Sequence, residues 1–277
     1  MSQNEELFAK EKVGKLLLKF SIPAVIALLV NELYNMVDTL FVGRVIGGNA
    51  IGALVVVFPI QRIIAAISMM LAIGSSTFVA RKNGEGDYEG ISDVVKNGVS
   101  LALAIMIPLS ILVFIFRDNL LTMLGASENI LPYAHDYLSI IIFGSTFLCL
   151  TTAMGYIMMS LGNRKVTLAS TSMGAILNII IDYILVFKFD YGVKGAAIAT
   201  VVSQFIGFLY ASYKFREIRK EFNIDFGIKF KKEFVVGIVT VGFSAFIVEA
   251  EDGILLAILN NLLLNHVGDS GVIILGI

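Results

Sequence analysis

The chain has 277 residues, of which 57% are hydrophobic and only 16% charged. Soluble domains carry roughly 25% charged residues, so this composition excludes an aqueous globular fold and indicates an integral membrane protein. A formal net charge of -1 gives nucleic acid nothing to bind, and two histidines with one cysteine, Cys149, cannot build a disulfide or a His/Cys zinc site.

In chain order the apolar segments are Leu16–Val42, Ile51–Ala80, Val94–Phe116, Leu131–Ser160, Val166–Phe187, Gly195–Tyr213 and Phe234–Leu264. Each is long enough for a tilted helix to cross a hydrocarbon core of ~30 Å, and too long and too rich in Leu, Ile and Ala for a barrel strand. The expected fold class is all-α and polytopic. Lysines precede the first span as in a signal peptide, but the apolar run continues past any cleavage site, so it reads as a retained helix.

Basic residues orient the spans. Lys10, Lys12, Lys15, Lys19, Arg81, Lys82, Lys96, Arg164, Lys165 and the run from Lys214 to Lys232 fall on one side. Arg44, Arg117, Lys188 and Lys194 fall on the other, which puts the N-terminus in the cytoplasm. A weak repeat supports a larger plan. Ser21-Ile22-Pro23 and Gly47-Gly48-Asn49-Ala50 recur as Gly242-Phe243-Ser244 and Val267-Gly268-Asp269-Ser270. An even number of spans per repeat gives both copies one orientation. The expected organisation is a six-helix lobe (1–219), a cytoplasmic linker (220–233) and the start of a second lobe (234–277), truncated from a parent of roughly twelve helices. A genuine half-size protein is the alternative.

Two acids sit inside spans, Asp38 in the first and Asp182 in the fifth. An ionised group in hydrocarbon is costly unless something uses it. At ~1.5 Å per residue both lie about 6 to 8 Å below the outer boundary, the same depth as Tyr137 in the fourth span and Thr200 in the sixth. Asn31, Asn35 and Asp38 share one helical face, as do Thr171, Asn178 and Asp182, and Tyr34 is one turn before Asp38. This predicts a cavity lined by spans one, four, five and six, with two carboxylates that share a proton or clasp a small cation. Oxygen donors from Asp38, Asn178, Asp182 and Thr200 suit a hard ion such as Na⁺. The bland alternative is interhelical glue.

Other embedded groups read less sharply. Glu32 and Arg62, on consecutive spans, are expected to form a buried ion pair; the alternative is that Arg62 tunes Asp38. Glu249, Glu251 and Asp252 lie near the middle of the seventh span and either line a cavity or mark a break in the helix. Pro23 predicts a kink or hinge in the first span. Met69, Met70, Met158 and Met159, with Phe143, Phe147 and Tyr156, either line an adaptable apolar cavity or simply pack.

Ser21-Ile22-Pro23, the stretch Leu33-Tyr34-Asn35-Met36-Val37-Asp38-Thr39-Leu40-Phe41-Val42-Gly43 and the motif Arg81-Lys82-Asn83-Gly84-Glu85-Gly86 resemble the MATE family of multidrug and toxic compound extrusion transporters, in particular its prokaryotic DNA-damage-inducible-F-like branch. The resemblance implies twelve helices in two lobes and export of amphipathic, often cationic, compounds against H⁺ or Na⁺. It also implies a first-lobe cation site at Asp38, Tyr34, Tyr137, Asn178, Asp182 and Thr200, with Pro23 as the family's first-helix proline. The chain departs from the family at Gly242-Phe243-Ser244, where Gly-x-Pro is usual, and its second-lobe acid is unassigned among Glu249, Glu251 and Asp252.

The expected protein is therefore a cation-coupled antiporter of a bacterial or archaeal plasma membrane. It is not an enzyme, needs no cofactor beyond its coupling ion, and has small amphipathic or cationic substrates and membrane lipid, but no obligate protein, as partners. The alternative is a lipid or oligosaccharide flippase, for which Arg62 is the only basic cavity candidate. An intramembrane aspartic protease lacks its Tyr-Asp and Gly-x-Gly-Asp signatures.

Overall fold

A computed structural model describes Gly14, Val25 and residues 36–225 and 227–276. Among these every regular element is helical: α1 (36–45), α2 (Gly48–Gly84), α3 (Tyr88–Ile115), α4 (Arg117–Met123), α5 (Leu131–Ile141), α6 (Ser145–Ser160), α7 (Arg164–Asp182), α8 (Gly192–Glu221), α9 (Lys232–Val267) and α10 (Asp269–Leu275). A 3₁₀ turn, Ile142–Gly144, joins α5 to α6, and a π turn, Tyr183–Lys188, extends α7. Six helical stretches are long and apolar enough to cross a membrane, which makes this a multi-pass protein. The first span lies mostly outside the described residues, with Pro23, Asn31, Glu32, Tyr34 and Asn35.

The motif at Arg81 makes a turn at the end of the second span. Arg81 and Lys82 bind Glu85 at 3.0 and 2.9 Å, Gly86 takes φ 69°, and the Asp87 carboxylate accepts from Gly90 N at 2.8 Å to cap α3. Gly47 before α2 and Gly268 before α10 both adopt positive φ (113° and 77°) with extended ψ, each directly preceding the next helix.

The core is built around α2, which meets α6 on one side and α9 along much of its length. Small residues permit this. A Cβ on Gly74 would collide with the Ile238 carbonyl, and one on Gly242 with that of Met70. The glycine in the departed Gly-Phe-Ser motif thus brings two helix backbones together, the usual device where apolar burial cannot drive association. Pro59 removes one rung from α2 and frees the carbonyl of Val55; Asn260 of α9 is fully buried and donates to it at 3.2 Å.

α9 is continuous from Lys232 to Val267, so the alternative of a break at its acids is not realised. Glu251 and Asp252 are exposed on its surface and Glu249 is half-buried. The fourth span, by contrast, is interrupted at its 3₁₀ turn. Ser145 donates to Ile142 O at 2.6 Å there, and Ser110 of α3 meets Ser145 Oγ at 2.8 Å. Between α8 and α9 the chain runs extended across the start of α3: Asp225, Lys229 and Lys231 donate backbone N–H groups to Ser92, Ser100 and Asn97 at 3.2, 3.0 and 2.6 Å.

Candidate functional site

Four elements converge on one buried polar cluster. α1 brings Asp38 (5% exposed), α5 brings Tyr137 (2%), the end of α7 brings Asn178 (1%) and Asp182 (0%), and α8 brings Thr200 (2%). Asp182 is the last residue of α7 before the π turn, and such widened turns commonly re-aim side chains at functional sites. Tyr137 Oη donates to Asp38 Oδ2 at 3.4 Å. Asn178 bridges the other side: with its amide nitrogen donating to Asp182 Oδ2 at 3.1 Å, its carbonyl accepts from Thr200 Oγ1 at 3.2 Å.

The two carboxylates are near enough for the charge on Asp38 to act on Asp182. Each keeps one buried oxygen, Oδ1, with no hydrogen-bond partner among the described residues. Buried polar atoms are rarely left so, because an unpaired one costs about 1–3 kcal/mol. All the groups offered are oxygens or an amide, a donor set that fits a proton or a hard monovalent cation and no thiophilic metal.

A cavity of about 330 Å³ adjoins this cluster, sharing Asn178 and Thr200 with it. α6 contributes Thr151 and Tyr156, and α8 contributes Ser203 and Gln204 one turn beyond Thr200. The wall that sequence reasoning missed is α2, which supplies Phe58, Gln61 and Arg62. Thr200, Ser203, Gln204 and Gly207 follow i, i+3, i+4, i+7 spacing, so their shared face was legible in the sequence. The position of Arg62 was not, since it depends on how α2 is rotated against its neighbours.

Glu32, the expected partner of Arg62, lies outside the described residues. Among those described, no carboxylate pairs with Arg62; its guanidinium sits over the Phe58 ring at 4.9 Å and its Nε is buried without a hydrogen-bond partner. Of the methionine and aromatic patches, Tyr156 alone lines the cavity among the described residues. Met70 and Met158 are buried in the core, Phe147 packs on Phe205 and Phe208, and Phe143 is exposed on the outer surface. Glu249 acts electrostatically on Tyr156 from α9.

Helices long and apolar enough to cross a membrane thus enclose a cavity beside a buried acidic pair. The MatE family model matches residues 23–184, more than half of the chain, and the chain belongs to that family, the MATE transporters. It is 27% identical over 256 residues to the multidrug export protein MepA of Staphylococcus saprophyticus, covering 91% of this chain and 56% of that protein. For MepA of Staphylococcus aureus strain NCTC 8325 the identity is 26% over 271 residues, covering 98% and 60%. Among solved structures, a complex of the MATE multidrug transporter DinF-BH superposes with a TM-score of 0.85 at 29% identity, covering 96% of this chain and 60% of that one. An inward-facing MATE transporter of the MOP superfamily gives 0.82 at 24% identity, covering 88% and 56%. The chain thus spans somewhat under two thirds of the length of the proteins it matches. It is a multi-pass plasma-membrane protein of a family of multidrug exporters.

Proposed function

We propose that this chain carries the coupling-ion site of a H⁺- or Na⁺-driven exporter of small amphipathic compounds, with its N-terminus in the cytoplasm. The observation that carries this reading is the pair of buried carboxylate oxygens at Asp38 and Asp182 that have no partner among the described residues, with Asp182 joined to the cavity wall through Asn178 and Thr200. A proton or Na⁺ arriving from outside satisfies those oxygens and removes the like-charge repulsion between the acids. Asn178 links the acids to the cavity, because its amide donates to the Asp182 carboxylate while accepting from Thr200 Oγ1 in the cavity wall; a cation bound at Asp182 weakens the first of these contacts. Release of the compound follows from binding that differs between the two states.

Transport by the protein reconstituted in liposomes tests this. An imposed inward H⁺ or Na⁺ gradient is expected to drive efflux of an amphipathic dye in the wild type, and Asp38→Asn to reduce it by tenfold or more. Undiminished gradient-driven efflux in Asp38→Asn sinks the reading.

A further inference from the structure

The charges around the cavity differ from those that would hold an organic cation. No carboxylate lines it among the described residues, and the one permanently charged group in its wall is Arg62. The guanidinium sits over the Phe58 ring, and its Nε is shielded from solvent yet makes no hydrogen bond among the described residues. Three further buried polar atoms in the same wall lack partners among those residues: Thr151 Oγ1, Ser203 Oγ and Gln204 Oε1. Two are hydroxyls that can donate. The remaining surface, Phe58, Leu148 and Ala175 among it, is apolar.

A pocket of this kind, mostly apolar with a few polar groups that lack partners, is shaped for a ligand with an apolar body and a polar head. Arg62 gives that head a sign, because an arginine fork matches a carboxylate or sulfonate in two parallel hydrogen bonds and repels an ammonium. An acid group can accept from the guanidinium and from both hydroxyls, whereas an ammonium has no acceptor to offer them. Of the facing charges, Glu249 on α9 acts on Tyr156 in the cavity wall without lining the cavity itself, while Asp38 and Asp182 lie beyond Asn178 and Thr200.

We infer that the cavity beside the Asp38–Asp182 cluster is an anion-selecting site, in which Arg62, assisted by the Thr151 and Ser203 hydroxyls, takes the acid group of an amphipathic aromatic or aliphatic organic acid. This deepens the efflux reading by naming a substrate class opposite in charge to the one the family resemblance suggests. It rests on that reading only for the statement that the bound acid is transported; the binding site itself is tested separately.

The test is equilibrium binding to the chain in phosphatidylcholine nanodiscs, with empty nanodiscs as the blank for partitioning. Three probes share one ring system: 2-naphthoate, 2-naphthylmethylammonium and 2-naphthylmethanol. Naphthoate is expected to bind at least tenfold more tightly than the ammonium. Arg62→Gln should weaken naphthoate at least tenfold and leave the neutral alcohol within twofold, which also shows that the cavity is intact; Arg62→Lys should restore part of the difference. Glu249→Gln should strengthen naphthoate binding a few-fold. Anionic lipid headgroups share this chemistry. Replacing a third of the lipid by phosphatidylglycerol leaves naphthoate binding unchanged if free acids are the ligand and competes with it if a headgroup is, and either result supports an anion site. The inference is overturned if the wild type binds the ammonium as tightly as naphthoate, if it binds none of the probes, or if Arg62→Gln leaves naphthoate untouched. Should Arg62→Gln fail to fold, the wild-type ratio decides alone. Cation-driven efflux that depends on Asp38 would stand even if naphthoate failed, which separates the two readings.

Discussion

Pro59 has no amide hydrogen, so α2 cannot bond the carbonyl of Val55 from within, and a bare carbonyl at that depth has no water to turn to. Asn260, 205 residues further on, supplies the missing donor. Asn260→Leu keeps the volume and removes the donor, so it is expected to cost about 1–3 kcal/mol, the usual consequence of stranding a buried polar group. A lower thermal unfolding temperature in detergent, with unchanged helix content, would register this; no change would mean that another donor or water reaches Val55. This contact joins residues too distant for any local pattern to connect. The acidic cluster is a different case. Asp38, Tyr137, Asn178, Asp182 and Thr200 could be grouped from the sequence because helical rise fixes depth and helical spacing fixes face, and both are local quantities. What local rules could not give is helix rotation, which sets Arg62 in the cavity wall; its expected partner Glu32 lies outside the described residues.

At the scale of elements, the extended run between α8 and α9 is fastened to α3 by a stripe of polar residues that apolar periodicity passes over. Ser92, Asn97 and Ser100 accept its backbone N–H groups, while Asp93, only 5% exposed, receives the ammonium groups of both Lys229 and Lys231. Both lysines remain more than a third exposed, so solvent screens part of the attraction, and Asp93→Asn is expected to loosen the attachment by about 1–2 kcal/mol. Trypsin provides the readout. Cleavage after Lys229 and Lys231 should accelerate several-fold in Asp93→Asn while cleavage after Lys214 stays constant; equal rates at all three sites would show that Asp93 does not hold the run. The hydrogen bond to Asp93 raises the Lys231 pKa above its ordinary value of about 10.4, so its contribution is complete below that pH and lost as pH climbs through the raised value. Protection from cleavage should therefore be flat from pH 6 to 9. The positions of the spans themselves were legible, since length and apolarity suffice for a membrane helix. The 3₁₀ turn dividing the fourth span and the π turn after Asp182 were not, because tertiary contacts such as Ser110 to Ser145 set them and no glycine or proline pattern announces them.

The whole molecule sets an acidic cluster beside a cavity whose wall carries a positive charge. Moving one charge through 100 mV is worth ~2.3 kcal/mol, or roughly 50-fold in concentration. If one H⁺ or Na⁺ enters for each monovalent cation that leaves, no net charge moves and the potential contributes nothing. If the departing molecule is a monovalent acid, positive charge enters and negative charge leaves, and the two contributions add to ~4.6 kcal/mol, roughly 2,500-fold. An anion site at Arg62 thus makes a one-for-one exchanger voltage-driven without any change at Asp38 and Asp182. The prediction is specific to charge. In liposomes holding the protein under a fixed H⁺ gradient, a potassium diffusion potential of 100 mV should shift the steady-state distribution of naphthoate by well over tenfold and leave that of naphthylmethylammonium unmoved. Arg62→Gln should abolish the first effect without creating the second. A potential that shifts the ammonium and not the acid would mean that the cavity favours cations and that the stoichiometry exceeds one coupling ion per molecule exported.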